Sequence, residues 1–360
     1  MLSMNLADLG ADVIKVERPD GGDDTRKWGP PWTDSGESTY YLGLNRGKRS
    51  VALNLKDPHD VGLARRLINR SDVVVENFRA GLMDDLGLGY DELRPDNPGL
   101  VYCAISGFGS GGPAASLPGY DLLIQAMSGL MSITGQPGNP PTKVGAAITD
   151  MTAGLYATIG VLAALNERTR TGVGQRVEVS LFDSALNALL NQGSAYVNTG
   201  VAGSAQGNRH PSIAPYESFH ASDRDFILAA ANNRMWLRTC TAIERPDLAS
   251  DDRFSTNSDR RGNVEVLVAE LQETFGERPA AHWIDVLRQA SVPAGPINRI
   301  DEAFEWATEQ GLEPAIEFDS STARAVRSPI RLSGSDVGSS LPPPDLDEHG
   351  DAIRAWLGKD

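Results

Sequence analysis

The chain has 360 residues, of which 40% are hydrophobic and 22% charged, and it carries a net charge of −15. That length is more than one hydrophobic core usually serves, so a large domain with a smaller one is expected, in a chain of globular composition. The acidic balance disfavours generic binding to nucleic acid or to anionic membranes. Two cysteines give no disulfide framework, and the five histidines show no HxxxH or HExxH spacing, so no metal site is expected. No apolar run of bilayer-spanning length and no leader pattern is read, which makes a cytoplasmic protein the default.

In chain order, short Val- and Ile-rich runs alternate with helical segments. ADVIKVE (11–17), SVALNLK (50–56), DVVVENF (72–78) and LVYCAIS (100–106) read as strands, and HDVGLARRLINR (59–70) as a helix between them. This rhythm predicts βαβ units around a parallel sheet buried on both faces, a doubly wound, Rossmann-like α/β domain. Two apolar helical segments follow, 119–135 and 150–170, then a strand at 175–181 and a helix at 182–200. GVAGSAQGNRHPSIAP (200–215) has the texture of a linker, and 216–298 reads as a smaller α+β domain opening with two strands around a DRD turn. Residues 1–199 are then the large domain, and 299–360 return to it. No repeat is found.

Ligands of open α/β sheets bind beyond the carboxyl ends of strands, so the loops ERPDGGDDTR, ENFRAG and SGFGSGGP are the places to look. None is a nucleotide-binding glycine motif: there is no GxxxxGK[ST] and no GxGxxG between strand and helix. No serine sits in a GxSxG elbow. Lys15, Arg18, Arg26, Lys27, Arg46, Lys48, Arg49 and Lys56 crowd the first 56 residues. In an acidic chain they fit either a pocket for a phosphorylated ligand or a solvated basic face. Trp28 and Trp32 fit either a cover for an adenine or packing.

Asp150 stands apart from the other acids because VGAAITDMTAGLYATIGVLAAL (144–165) is otherwise apolar, small or mildly polar. Asp at the start of a helix is a good N-cap, and a carboxylate in apolar surroundings is also a candidate for chemistry. Both readings stand at this level.

In order along the chain, LADLGADVIKVERP (6–19), GDDTRKWGPPW (22–32), NRGKRSVALNLKDP (45–58) and DVVVENFRAGLMDDLGLGYDEL (72–93) resemble the family III CoA-transferases, the CaiB/BaiF family. The resemblance continues through SGFGSGGP, the Asp150 segment, GVGQRVEVSLFDSAL (172–186), NRHPSIAPYESF (208–219), VPAGPINRIDEA (292–303) and PPPDLDEHGD (342–351). It implies a CoA-transferase with no tightly bound cofactor, using acyl-CoA and a small carboxylic acid as substrates. It also implies an interlocked homodimer and Asp150 as nucleophile. Tyr120 occupies the position where the related α-methylacyl-CoA racemases place a histidine. A phenol with a pKa of about 10 exchanges an α-proton poorly at neutral pH, which favours the transferase over the racemase.

The resemblance further assigns Arg18, Leu53, Lys56, Asn77, Phe78 and Leu82 to the CoA site. An arginine of that site falls on Asp85 here, with Lys48 or Arg79 as substitutes. Gly107 and Gly109 are implied as backbone donors to an oxyanion, and Arg209 and His210 as contacts for a distal carboxylate. GNRHPSIAPY (207–216) stands where formyl-CoA transferase has a four-glycine loop, which points away from formyl-CoA and oxalate and toward the succinyl-CoA:dicarboxylate branch. Family members also carry a first strand and a Gly-Pro loop ahead of the residues that match Met1. A CoA-binding homologue without turnover is therefore the other class of reading.

Overall fold

The computed structural model describes residues 1–358. The chain divides into two compact units: Met1–Leu130, Val144–Val201 and Gly311 onward form the first, and Met131–Lys143 with Ala202–Gln310 the second. The second unit thus takes the expected linker from Ala202 on, extends beyond residue 298, and includes residues 131–143, which the sequence places in the large domain. The backbone explains part of this, because Gly207 N–H donates to the carbonyl of Gly135 at 2.8 Å.

The first unit opens with α1 (Leu2–Asp8), β1 (Val13–Glu17), α2 (Thr39–Asn45), β2 (Lys48–Ala52), α3 (Pro58–Asn69) and β3 (Val73–Glu76). The short helices α4 (Leu82–Asp85) and α5 (Tyr90–Leu93) precede β4 (Val101–Ser106), α6 (Asp121–Met127) and α7 (Ile148–Thr171). β5 (Arg176–Ser180), α8 (Leu181–Ala188) and α9 (Leu190–Thr199) complete this stretch. All strand pairs here are parallel, as expected, but they form two sheets, β1–β2 and β3–β4–β5, rather than one. β1 and β3 each pair on one side only among the described residues.

Burial on both faces is visible along β4. Tyr102 and Ala104 join a core with Leu63, Leu67, Leu88 and Leu93, while Val101 and Cys103 join another with Leu2, Leu6, Ala157 and Val161. The period-two alternation sends successive side chains to opposite faces. α3 therefore covers one face, and α1 and α7 the other.

α7 is the 24-residue axis of this unit. Contrary to expectation, it is long and apolar enough to cross a bilayer by length and composition. Here it packs on α1, α6, α8, β4 and β5. Arg168 and Arg170 lie in its last turn, where they complement the negative end of the helix dipole, and Gly172 ends it with a left-handed φ of 71°.

In the second unit, β6 (Tyr216–His220), β7 (Asp225–Ala229) and β8 (Ala294–Pro296) make an antiparallel sheet. Between them run α10 (Asn233–Ala242), α11 (Pro246–Ala249), α12 (Asn257–Gly262), α13 (Val264–Phe275) and α14 (Ala280–Gln289), and α15 (Ile300–Glu309) follows β8. Phe219, Phe226, Trp236, Phe254, Phe275 and Trp283 fill its core. The chain then re-enters the first unit through the hairpin β9 (Ala315–Phe318) and β10 (Ser321–Val326) and ends in α16 (Gly350–Leu357). That return is anchored on β2: His349 N–H donates to the Ser50 carbonyl at 3.0 Å, and Asp347 Oδ1 accepts from Ala52 N–H at 2.7 Å.

Candidate active site

Asp150 does not cap its helix. α7 starts two residues earlier, Ala147 holds the N-cap position without a side-chain bond, and Asp150 is the third helical residue. The cap comes from Asp121, at the start of α6. Its Oδ1 accepts the Thr149 backbone N–H at 2.9 Å and the Thr149 hydroxyl at 2.8 Å. Its Oδ2 accepts Nε2 of the fully buried Gln125 at 2.8 Å, and Gln125 Oε1 in turn accepts Val144 N–H at 2.8 Å. One carboxylate thus satisfies an orphan donor of the α7 start and ties the 144–149 turn to α6.

The Asp150 carboxylate is left open to solvent, with no hydrogen bond or ion pair among the described residues. Surrounding protein disfavours its charge and Asp121 repels it, so its proton affinity is raised, with the α-amino group of Met1 acting in the opposite sense. Tyr40, on α2, feels the same field: burial, then Asp150 and Asp121, push its phenol upward. The Trp28 ring stands edge-on to Tyr40 at 5.1 Å.

The β4 loop and the α6 start are pressed together. A Cβ on Gly107 would sit 2.6 Å from the Cα of Gly119, and one on Gly119 would sit 2.2 Å from the Cα of Gly107. Only glycine fits at either place, and the contact fixes Tyr120 and Asp121, which come next in the chain. Tyr120 is 71% exposed, with no side-chain cap bond to α6. Gly109, with φ of 88°, already donates its N–H to Ser106 Oγ at 2.9 Å, so in this structure it is not a free oxyanion donor. The Gly107 carbonyl accepts Phe182 N–H at 3.0 Å.

Arg18, Asn77 and Gly107 follow the carboxyl ends of β1, β3 and β4, where ligands of such sheets bind. Asn77 Nδ2 donates to the Ile105 carbonyl at 2.7 Å, Phe78 and Lys56 are exposed, and Leu82 is half-buried at the start of α4. Leu53 departs from expectation: its side chain is 2% exposed and packs into the core under β2. The proposed substitutes for the arginine replaced by Asp85 are also committed. Lys48 is buried with its Nζ on Asn45 Oδ1 at 2.9 Å, and Arg79 pairs with Asp85 itself at 3.0 Å. Most of the basic cluster is paired in the same way: Lys15 with Asp23, Arg18 with Asp24, Arg26 with Glu17, Arg46 with Asp8 and Arg49 with Asp12.

Arg209 and His210 belong to the second unit. Arg209 bridges Glu217 at 2.9 Å and Glu265 at 2.5 Å, and His210 Nδ1 accepts Ser212 N–H at 3.0 Å while its ring lies 5.2 Å from that of Tyr216. Arg209 is thus neutralised twice over and is no free clamp for a carboxylate, contrary to expectation. Among the described residues no His, Cys, Asp or Glu cluster has the make-up of a metal site.

A profile described as CoA-transferase family III matches residues 1–350. The chain belongs to that family. It is 42% identical to an acetyl-CoA:oxalate CoA-transferase of Acetobacter aceti, over 97% of this chain and 89% of that protein. It is 41% identical to a succinate–glutarate CoA-transferase of Agrobacterium fabrum, over 98% of this chain and 90% of that one. Among solved structures, a CaiB/BaiF family protein from Brucella suis superimposes with a TM-score of 0.87 at 42% identity, covering 99% of this chain and 94% of that one. The family member is an enzyme, a CoA-transferase. Overall identity does not separate an oxalate from a glutarate enzyme here.

Asp121, Gln125 and Tyr40 escaped the sequence reading. Asp121 had a signal, standing beside Tyr120 in GYD, but its partner Thr149 lies 28 residues on.

Proposed function

We propose that the protein moves CoA from a succinyl-CoA-like donor to a small carboxylic acid, with Asp150 as nucleophile. The observation that carries the reading is a carboxylate on the first turn of an apolar helix, open to solvent and without a bonding partner among the described residues, whose helix is capped by Asp121. An Asp150 oxygen forms a bond to the donor's thioester carbonyl carbon, and the C–S bond breaks with its electron pair on sulfur. The products are a mixed anhydride and the CoA thiolate. The thiolate then attacks the Asp150 carbonyl carbon and expels the donor acid as carboxylate, leaving an aspartyl-CoA thioester. The acceptor carboxylate enters by the reverse of these two steps, and Asp150 is regenerated. Every step starts from an anion, and the amino end of α7 favours that charge on Asp150.

Arg18, Lys56, Asn77, Phe78 and Leu82 are assigned to CoA, with Tyr120 lining the acyl site and Trp28 and Tyr40 forming a wall beside Asp150. The working form is a homodimer. This is supported by the exposed apolar stripe of α7, in which Leu155, Ile159 and Leu162 are 45%, 62% and 42% accessible at helical spacing, an apolar strip available to a second copy of the chain. The test is acceptor-dependent transfer from succinyl-CoA by the purified protein, with oxalate, glutarate and mesaconate as competing acceptors. Hydrolysis alone, or α-proton exchange without an acceptor, contradicts the reading.

A further inference from the structure

The α6–α7 contact has a role that rests on the reading of Asp150 as nucleophile. We propose that Asp121 is a positioning residue of the transfer reaction: it holds the start of α7 and the turn before it, so that Asp150 keeps both carboxylate oxygens for the thioester.

The geometry is specific to a carboxylate. Asp121 accepts on both oxygens, from Thr149 on one side and from Gln125 Nε2 on the other. An amide there presents a donor to one of them. Because Asp121 is acceptor-only, Gln125 has to turn its Nε2 toward it and its Oε1 toward Val144 N–H, so the charge also fixes the Gln125 amide. Gln125 is buried completely, and an unmatched amide at that depth is expensive.

The second consequence concerns charge. The groups acting on Asp150 are Asp121, from α6, and the α-amino group of Met1, just ahead of α1, while the Tyr40 phenol on α2 responds to both aspartates. Asp121 bonds to Thr149, the residue before Asp150, so in the resting enzyme the two carboxylates stand close enough to repel each other. Acylation of Asp150, as anhydride or as CoA thioester, removes one charge and relieves that repulsion. Asp121 therefore biases the enzyme toward its covalent intermediates as well as aiming the nucleophile.

The experiment measures exchange of labelled succinate into succinyl-CoA, as a function of pH, for the full chain and the variants Asp121→Asn, Thr149→Val and Thr149→Ser. In parallel, each protein is incubated with succinyl-CoA and its Asp150 adduct is quantified by mass spectrometry. Asp121→Asn is expected to lower kcat about a hundredfold, as for a misplaced reacting group. It should also move the acid limb of kcat/KM to lower pH and reduce the adduct fraction. Thr149→Val should lower kcat about tenfold with the acid limb in place, and Thr149→Ser should restore it. A purely structural Asp121 lowers thermal stability but leaves the acid limb and the adduct fraction alone, and that result overturns the proposal. Should Asp121→Asn not fold, the Thr149 pair decides: equal kcat for valine and serine overturns it. Absence of any Asp150 adduct in the unmodified protein is a separate outcome, which removes the nucleophile and this role with it.

Discussion

Asp121 and Thr149 are joined twice, through the backbone N–H at 2.9 Å and the hydroxyl at 2.8 Å, across 28 residues of chain. This pair separates two duties that a helix-initial aspartate usually combines. Capping falls to Asp121, and Asp150, on the next residue of the same turn, is left accessible and unbonded among the described residues. A nucleophile that also capped its own helix would lose that bond each time it was acylated.

The first prediction follows from the Asp150 carboxylate having no structural partner. Asp150→Asn should keep the fold and its stability to within about 0.5 kcal/mol, as for a surface change, while transfer falls to background. Circular dichroism, thermal melting and the exchange assay check this together. Substantial turnover by the amide variant contradicts it.

Gly119 tests the tight seam beside the site. An added Cβ would meet the backbone of Gly107 at 2.2 Å, and overpacking of this kind costs about 1–3 kcal/mol. Gly119→Ala should lower the melting temperature and also depress turnover, since Tyr120 and Asp121 follow immediately. Alanine behaving like wild type in both respects would show that the two loops yield freely.

Lys48 is a buried cation whose Nζ meets only the neutral Asn45 Oδ1 among the described residues, and burial, then Lys15, lower its pKa to about 7. With the folded value below the unfolded one, the fold disfavours the charged form. Stability then declines as the pH falls from its ordinary value of 10.5, and the full penalty is in place below about 7. Lys48→Met should therefore stabilise the protein near neutral pH by about 2 kcal/mol, with the gain vanishing toward alkaline pH. Melting curves across pH measure it. A destabilised methionine variant would mean that the ammonium has a stabilising role at this site.

Asp23 has the opposite sign. Burial pushes its carboxyl up, but the Lys15 ammonium at 2.5 Å and the Thr25 N–H and hydroxyl overcome that and hold it at about 2, against an ordinary 3.8. Its contribution, about 2 kcal/mol, is present above the ordinary value and is lost as the pH falls through the folded one. Asp23→Asn should be less stable near neutral pH, with the gap to wild type closing between about pH 4 and pH 2. Acid titration of the unfolding free energy reads this out. A gap that stays constant through that window contradicts it.

The parts of the fold that were legible in the sequence are those set by local patterning. The Val- and Ile-rich run at 100–106 reads as a strand buried on both faces because its alternate side chains meet two separate cores. Asp150 was legible as a residue, being the one carboxylate in an apolar stretch. Its place on the helix was not, because the competing cap comes from a distant loop. The pairing of the basic cluster was hidden for the same reason. Arg46 and Arg49 find Asp8 and Asp12, each about as far away in sequence as one βα unit is long, so the cations that suggested a phosphate pocket are largely spent on ion pairs within the first unit. The partners of Arg209 are hidden in the same way: Glu217 comes opposite only when residues 207–220 fold back, and Glu265 lies 56 residues on.

The most direct test of the account is to incubate the protein with succinyl-CoA, trap with hydroxylamine or borohydride, and map the modified residue by mass spectrometry. The predicted result is a single acyl-dependent modification on the peptide carrying Asp150, absent from Asp150→Asn. Modification of a different residue, or full transferase activity without any modification of Asp150, would contradict it.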